Sequence, residues 1–296
     1  MKVLIALDES GSMHRAADAL SMTQPGITKA LQEIEAALGA ELFERSPRGI
    51  KATPTGRCVI RYAYILYTEL DQMSAEINAI NMGQGSVISV GAVAGAFPSL
   101  LVGAITHVRK AHPKLTVKIK EGTSANLLGE LGEGLLDIAI CRTAVAPNPD
   151  IFDRMDLSEE KISVVAGPRH ALAGKNISQL SDLADCRWIL FPNRMPVRRL
   201  LERELMEEGL DMPLYPLEAS STFVTVLMLN EDPELVALVS RETADFFAEK
   251  GILTILPIHI KARTEPYELV TRKGYVLAPA AMALIDEIKR RAARVG

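Results

Sequence analysis

The sequence predicts an α/β protein in three parts: a small, mostly helical N-terminal unit carrying a short β wing, a long single helix, and a larger two-lobed α/β region. Three observations carry this expectation. Short apolar helices joined by polar turns fill residues 1–55, a heptad pattern runs on to about residue 81, and from Ser86 strand-like runs alternate with helical stretches. At 296 residues the chain has room for more than one core.

In the first part Ala16, Ala17 and Leu20, then Ile27, Leu31, Ile34 and Leu38, recur at helical intervals. Ser12 is placed to cap one helix and Thr23 the next, with Pro25 tolerated in the first turn. Ser21 and Met22 leave a connection of a few residues, the layout of a helix-turn-helix. Leu42 to Arg45 and Ile50 to Thr53 flank the turn residues Ser46, Pro47, Arg48 and Gly49, which predicts a hairpin or wing. Thr53 and Pro54 then start a helix running from about Thr55 to Asn81. One apolar row on it is Val59, Leu66, Met73 and Ile80 and the other Ala63, Leu70 and Ile77, the seam of a two-stranded coiled coil. The competing reading is an amphipathic helix packed inside its own domain. Gly83, Gln84 and Gly85 follow as a hinge.

Strand-like runs over 86–93, 115–121, 135–141, 161–167, 187–191, 214–220, 234–240 and 267–273 are separated by helical stretches over 98–110, 126–132, 197–208, 222–230, 242–250 and 278–294. Such alternation predicts parallel sheets with crossover helices. The division expected is 1–55, 56–84 and 85–296, the last folding as one lobe over about 85–160 and 266–296 and another over about 161–265.

Hydrophobic residues at 48% and charged residues at 24% exclude disorder and fibrous repeats. No apolar run reaches bilayer length, and the five apolar residues between Lys2 and Asp8 are too few for a secretory signal, so a cytoplasmic protein without membrane contact is expected. Cys58, Cys141 and Cys186 form no CxxC pair and read as buried free thiols, with no metal site and no cofactor. The net charge of −4 conceals a local exception: Arg45, Arg48, Lys51, Arg57 and Arg61 fall in a stretch without an acidic residue. A duplex feels this nearby charge, because salt screens the distant remainder.

On the helix starting after Thr23, burying the apolar row leaves Gln24, Pro25, Thr28, Lys29 and Gln32 facing solvent. Glutamine pairs with adenine edges, threonine offers a hydroxyl and a methyl, and lysine reaches guanine or phosphate. A merely solvated face is the alternative, and the short turn, the wing and the acid-free basic segment weigh against it.

Ser12, Ala16, Ala17, Leu20, Gln24, Pro25, Ile27, Leu31, Ile34, Glu35, Leu38, Gly39, Leu42, Phe43, Arg45, Thr53, Pro54 and Gly56 together resemble, without gaps, the winged helix-turn-helix of the LysR-type transcriptional regulators. Glu121–Gly122, LDIAI at 136–140 and HALA at 170–173 extend the resemblance more loosely over the rest. Three features depart from the family pattern. The first helix starts a turn or two late, which implies a truncated or unusually started chain; Gly26 replaces a better helix former, which would allow closer backbone approach to DNA; and Asn230 to Pro233 replace a glycine-rich loop.

The resemblance implies a repressor or activator that binds double-stranded DNA as a homodimer, often assembled into tetramers, and contacts RNA polymerase if it activates. DNA contacts then fall to Ser12, Arg15, Thr23, Gln24, Pro25, Thr28, Lys29, Gln32, Arg45, Arg48 and Lys51. It also implies a periplasmic-binding-protein-like effector domain. A small molecule would lie between the lobes against Ala94, Gly95, Ala96, Thr123, Ser124, Arg142, Thr143, Asn193, Ser221, Thr222 and Ser240. Helix N-termini attract anions and Arg142 is suited to a carboxylate, so an organic acid is the expected effector class. Against these stand a salt bridge for Arg142 and simple helix capping for the hydroxyls.

An α/β enzyme is the alternative reading, but GxGxxG, GxSxG and HExxH are absent, and GPRHALAGK has six residues between its glycines where a P-loop has four. A transport-type solute-binding protein would carry an export signal and no basic helical head. His107 and His112 are expected at the surface, Trp188 in the core, and Tyr62, Tyr64 and Tyr67 in packing.

Overall fold

A computed structural model of the chain describes residues 1–46, 49–81, 86–193, 195–261 and 265–295. The head comprises α1 (Lys2–Ser10), α2 (Met13–Ala19) and α3 (Gln24–Leu38). Gly11 ends α1 at φ 60°, a left-handed conformation that suits glycine. The Ser12 hydroxyl accepts from the Arg15 amide at 3.5 Å and that of Thr23 from Gly26 at 3.2 Å, so both expected caps are made. The wing is an antiparallel hairpin of β1 (Phe43–Ser46) and β2 (Gly49–Ala52), with Glu44 opposite Lys51.

Leu4, Leu7, Ala16, Ala17, Ile27 and Leu31 bury against Leu42, Phe43 and Ala52 of the hairpin and against Ile60 and Ala63 of α4 (Pro54–Asn81). The first turns of α4 therefore belong to the head. Ala63 is buried and Val59 half-buried inside the chain's own core, and neither remains open to a partner helix. Leu66, Leu70, Met73 and Ile77 stay exposed, while the side chain of Ile80 lies outside the described residues, as do Arg48 and the hinge residues 83–85. Leu38, expected in the buried row, is 53% exposed, because the helix stops at Gly39 beyond the edge of the core. Tyr62 and Tyr67 are exposed too and lie beside Arg61 and Lys2, whereas Tyr64 is half-buried and donates to Glu9.

Two five-stranded sheets follow. The first contains β3 (Val87–Ala92), β4 (Thr116–Glu121), β5 (Ile138–Cys141), β6 (Phe152–Ser158) and the late strand β12 (Tyr267–Arg272), in the order β4-β3-β5-β12-β6. A π-helical turn (Phe97–Leu101), α5 (Val102–Ala111) and α10 (Pro279–Val295) pack on one face; α6 (Ser124–Gly132) packs on the other. The second sheet contains β7 (Ile162–Ala166), β8 (Arg187–Leu190), β9 (Leu217–Glu218), β10 (Leu235–Ser240) and β11 (Thr254–Ile255), in the order β11-β7-β10-β8-β9. Its helices are α7 (Pro196–Glu207), α8 (Thr222–Glu231) and α9 (Arg241–Ala248).

The expectation of parallel sheets needs correction. β3, β4 and β5 are parallel, as are β8, β9 and β10, but β12 is antiparallel to β5 and β6, and β7 is antiparallel to β10 and β11. Chain crossings between the sheets replace crossover helices at these pairs. β6 escapes the periodicity because FDRMDLS carries charges and exposes Asp153, Arg154 and Asp156. The run at 214–220 shrinks to two strand residues, since Tyr215 takes φ 51° and Pro216 follows.

Trp188 is buried, and His107 and His112 are exposed. Of the cysteines Cys141 is buried, its thiol pushed up to about 12 by burial, but Cys58 is exposed and Cys186 half-buried. The segment replacing the glycine-rich loop is tied down by Arg169 to the Asn230 carbonyl (2.6 Å) and by Arg187 to Asp232 (2.9 Å).

Candidate nucleic-acid interface and effector cleft

Burial of Ile27 and Leu31 orients α3 so that Gln24, Pro25, Lys29 and Gln32 are exposed beside the exposed cap Thr23, with Thr28 half-buried. Lys29 makes a 3.9 Å contact with Glu33 while remaining solvated, so its ammonium stays open to a partner. Arg15 is exposed and Ser12 half-buried on the preceding turn, and Lys51 is exposed on β2. The side chain of Arg45 lies outside the described residues. At Gly26 an added methyl would stand 3.2 Å from the Thr23 hydroxyl, so the glycine leaves the capping bond uncrowded.

Composition and spacing did not reveal how the wing is mounted. The Glu35 carboxylate, on the last turns of α3, accepts from the amides of Leu42 (2.7 Å) and Phe43 (3.3 Å) at the base of β1. Thr53 donates its amide to the Leu42 carbonyl (2.9 Å) and its hydroxyl to Glu41 O (2.9 Å), and it accepts from the Gly56 amide (2.9 Å) to start α4. A Cβ at Gly56 would stand 1.9 Å from Leu42 O, so this close crossing demands glycine.

In the α/β region the expected effector contacts divide into two sets. Thr123 caps α6 and is exposed, Ser221 caps α8, Thr222 follows it half-buried, Asn193 is exposed after β8, and Ala94 is half-buried. The other set turns inward. Ala96 belongs to the core under β3. Ser124 accepts from the Arg142 amide at 3.2 Å. Thr143 is 2% exposed and bonds Glu268 through its hydroxyl at 2.7 Å. Ser240 is buried and caps α9, donating to the Thr243 hydroxyl at 2.7 Å.

Arg142 takes the salt bridge that the sequence offered as its alternative. At 7% exposure it forms an ion pair with Glu160, which is 6% exposed, donates from Nε to the Glu265 carbonyl at 3.0 Å and stacks over the Tyr267 ring at 4.7 Å. Tyr267 in turn donates to Glu160, and burial together with that carboxylate holds the phenol well above its ordinary value. Gly95 completes the cluster. A Cβ there would stand 2.1 Å from the Tyr267 hydroxyl and 3.0 Å from Cβ of Ser240, so β3, β12 and the start of α9 meet around a residue without a side chain. Charge pairing inside the protein thus takes the guanidinium that the sequence offers to a ligand.

The family model described as "Bacterial regulatory helix-turn-helix protein, lysR family" matches residues 1–57, and "LysR substrate binding domain" matches 82–293. The HTH-type transcriptional regulator GbpR of Azospirillum brasilense is 31% identical over 98% of this chain and 84% of its own length. PcaQ of Agrobacterium fabrum, also an HTH-type transcriptional regulator, is 27% identical over 92% of this chain and 87% of its own. Full-length CbnR complexed with its target DNA shares the fold at a TM-score of 0.64 and 19% identity, covering 98% of both chains. Head, long helix and two-sheet region together define a DNA-binding regulator with an effector-binding domain. The chain belongs to the LysR family. Its relatives are transcriptional regulators, and the enzyme and transport readings are set aside on that ground.

Proposed function

We propose that this regulator works as a homodimer joined through α4 and assembled further into a tetramer, reading DNA with α3 and answering to an organic acid bound between its lobes. The exposed polar face of Gln24, Lys29 and Gln32 on a helix fixed by buried Ile27 and Leu31 carries the DNA-reading part. In this reading residues 1–55 bind DNA, 56–84 link and dimerise, and 85–296 sense the effector. Two reading helices would enter successive major grooves, since one head binds too weakly to select a site among genomic competitors. The protein acts in the cytoplasm, and among the described residues no helix is long and apolar enough to cross a membrane. An activator role would add RNA polymerase as a partner.

Fragments selected from random oligonucleotides test the reading. Lys29→Ala and Gln32→Ala are expected to lower discrimination between the selected site and single-base variants by about 1–3 kcal/mol per lost base contact. Arg48→Ala or Lys51→Ala should weaken all sequences alike and reduce the salt slope by about one. Equal loss of discrimination from all four would contradict these roles.

For the effector, the turned-in Arg142 moves the anion reading onto the α6 and α8 N-termini, where Thr123, Ser221 and Thr222 lie. A fluorescence titration of carboxylates against their amides is expected to show binding of the acids alone. Equal binding of both would replace the organic acid with a neutral ligand.

A further inference from the structure

The wing can touch DNA productively only if its angle to the reading helix is set, and two covalent connections of the hairpin leave that angle open to bending. The second strand is anchored to the α1–α2 turn: the Ile50 amide donates to the Gly11 carbonyl at 3.0 Å, and Gly49 approaches so closely that a Cβ would stand 2.5 Å from the same oxygen. The far end of β2 is held by Thr53 against Leu42 and Glu41. The first anchor fastens the hairpin to the α1–α2 turn, and the second only closes the hairpin at its own base. The base of β1 is different, because its amides at Leu42 and Phe43 point to a carboxylate carried by α3 itself. Leu42 and Phe43 side chains already fill the core, so packing holds the strand in place. What the carboxylate adds is direction, since two amides converging on one oxygen fix both translation and tilt in a way that apolar contact does not.

We propose that Glu35 is a positioning residue for DNA binding: it sets the wing at the angle to α3 that lets Lys51 and its neighbours reach phosphate while α3 reads bases. The proposal rests on the reading of the wing as a backbone contact, and Lys51→Ala in the otherwise unchanged protein tests that reading separately. Glu35→Ala in the full chain is expected to lower the slope of log affinity against log salt by at least as much as Lys51→Ala, roughly one or more, while discrimination among single-base variants of the site is kept. Adding Lys51→Ala to Glu35→Ala should produce no further change of slope. Glu35→Gln, which keeps an acceptor oxygen at the same reach, should restore most of it. A merely structural role would lower the thermal midpoint with the slope unchanged.

An unchanged slope in Glu35→Ala, or additive slopes in the double variant, overturns the proposal. If Lys51→Ala itself leaves the slope unchanged, the wing reading fails and Glu35 falls with it. Should Glu35→Ala not fold, the same measurement on Glu35→Asp, whose carboxylate is one methylene short, decides: a reduced slope with intact discrimination is expected, and an unchanged slope overturns the proposal.

Discussion

Arg142→Ala is expected to destabilise the effector region by about 3–5 kcal/mol, the cost of leaving one member of a buried ion pair without the other. The reason lies in the partner left behind. Glu160 is 6% exposed and receives both the guanidinium and the Tyr267 hydroxyl, so truncation of Arg142 strands a carboxylate in a site it cannot leave. Thermal or chemical unfolding followed by circular dichroism measures this loss, and a midpoint lower by roughly 10 °C is expected. The double variant Arg142→Met with Glu160→Met removes both charges and should recover most of the stability, because a well-packed apolar pair often replaces a buried ion pair at little cost. A loss under about 1 kcal/mol in the single variant would reject the pairing. Loss of effector response in Arg142→Ala would then report a destabilised effector region before it reported a missing ligand contact.

Leu70→Asp is expected to raise the dimer dissociation constant by roughly 100-fold or more, since an unpaired carboxylate would enter an apolar seam. Leu66, Leu70, Met73 and Ile77 are exposed along α4, and Leu70 also lines a groove of about 800 Å³ with Val3, Ile34 and Tyr67. Such a stripe suits a second α4, whose apolar row would cover it. Because Leu70 lies outside the head's own core, the substituted monomer should fold as before, with an unchanged melting profile at low concentration. Affinity for a two-half-site operator should fall by about 100-fold or more as the heads lose their linkage. Sedimentation showing an intact assembly would remove α4 from the interface. Ala63→Asp would not serve as the test, because Ala63 is buried in the head and the variant would unfold it.

The head was legible because its signals are local. Ser12 and Thr23 cap helices through amides three residues away, and the apolar rows of α2 and α3 have the period of one helix. The start and end of α4 were readable for the same reason. Its seam was half legible: the heptad pattern runs through Val59 and Ala63 as if they were free, and only packing shows that the head consumes them. Leu38 fails similarly, since periodicity cannot say where the core it faces comes to an end.

In the α/β region the alternation of strands and helices was visible, but strand direction was not. β12 is separated by more than a hundred residues from β5 and β6, and no spacing rule says that it returns antiparallel between them. Arg142 and Thr143 carried the chemistry expected of a ligand site, yet Glu160 and Glu268 come from distant segments to satisfy them. Burying a charge requires a partner, and the partner's position is a property of the tertiary fold.

What the sequence by itself determined is a head of capped helices with a polar, basic outer face, a long linking helix and an alternating α/β remainder, because caps, periods and turn residues act within a few positions of one another. Only the tertiary structure decided which polar groups of the α/β region turn inward. Lys29 and Gln32 stay exposed to solvent while Arg142 is turned inward onto Glu160, because contacts between separate segments decide whether a polar side chain is satisfied by the protein or left to water.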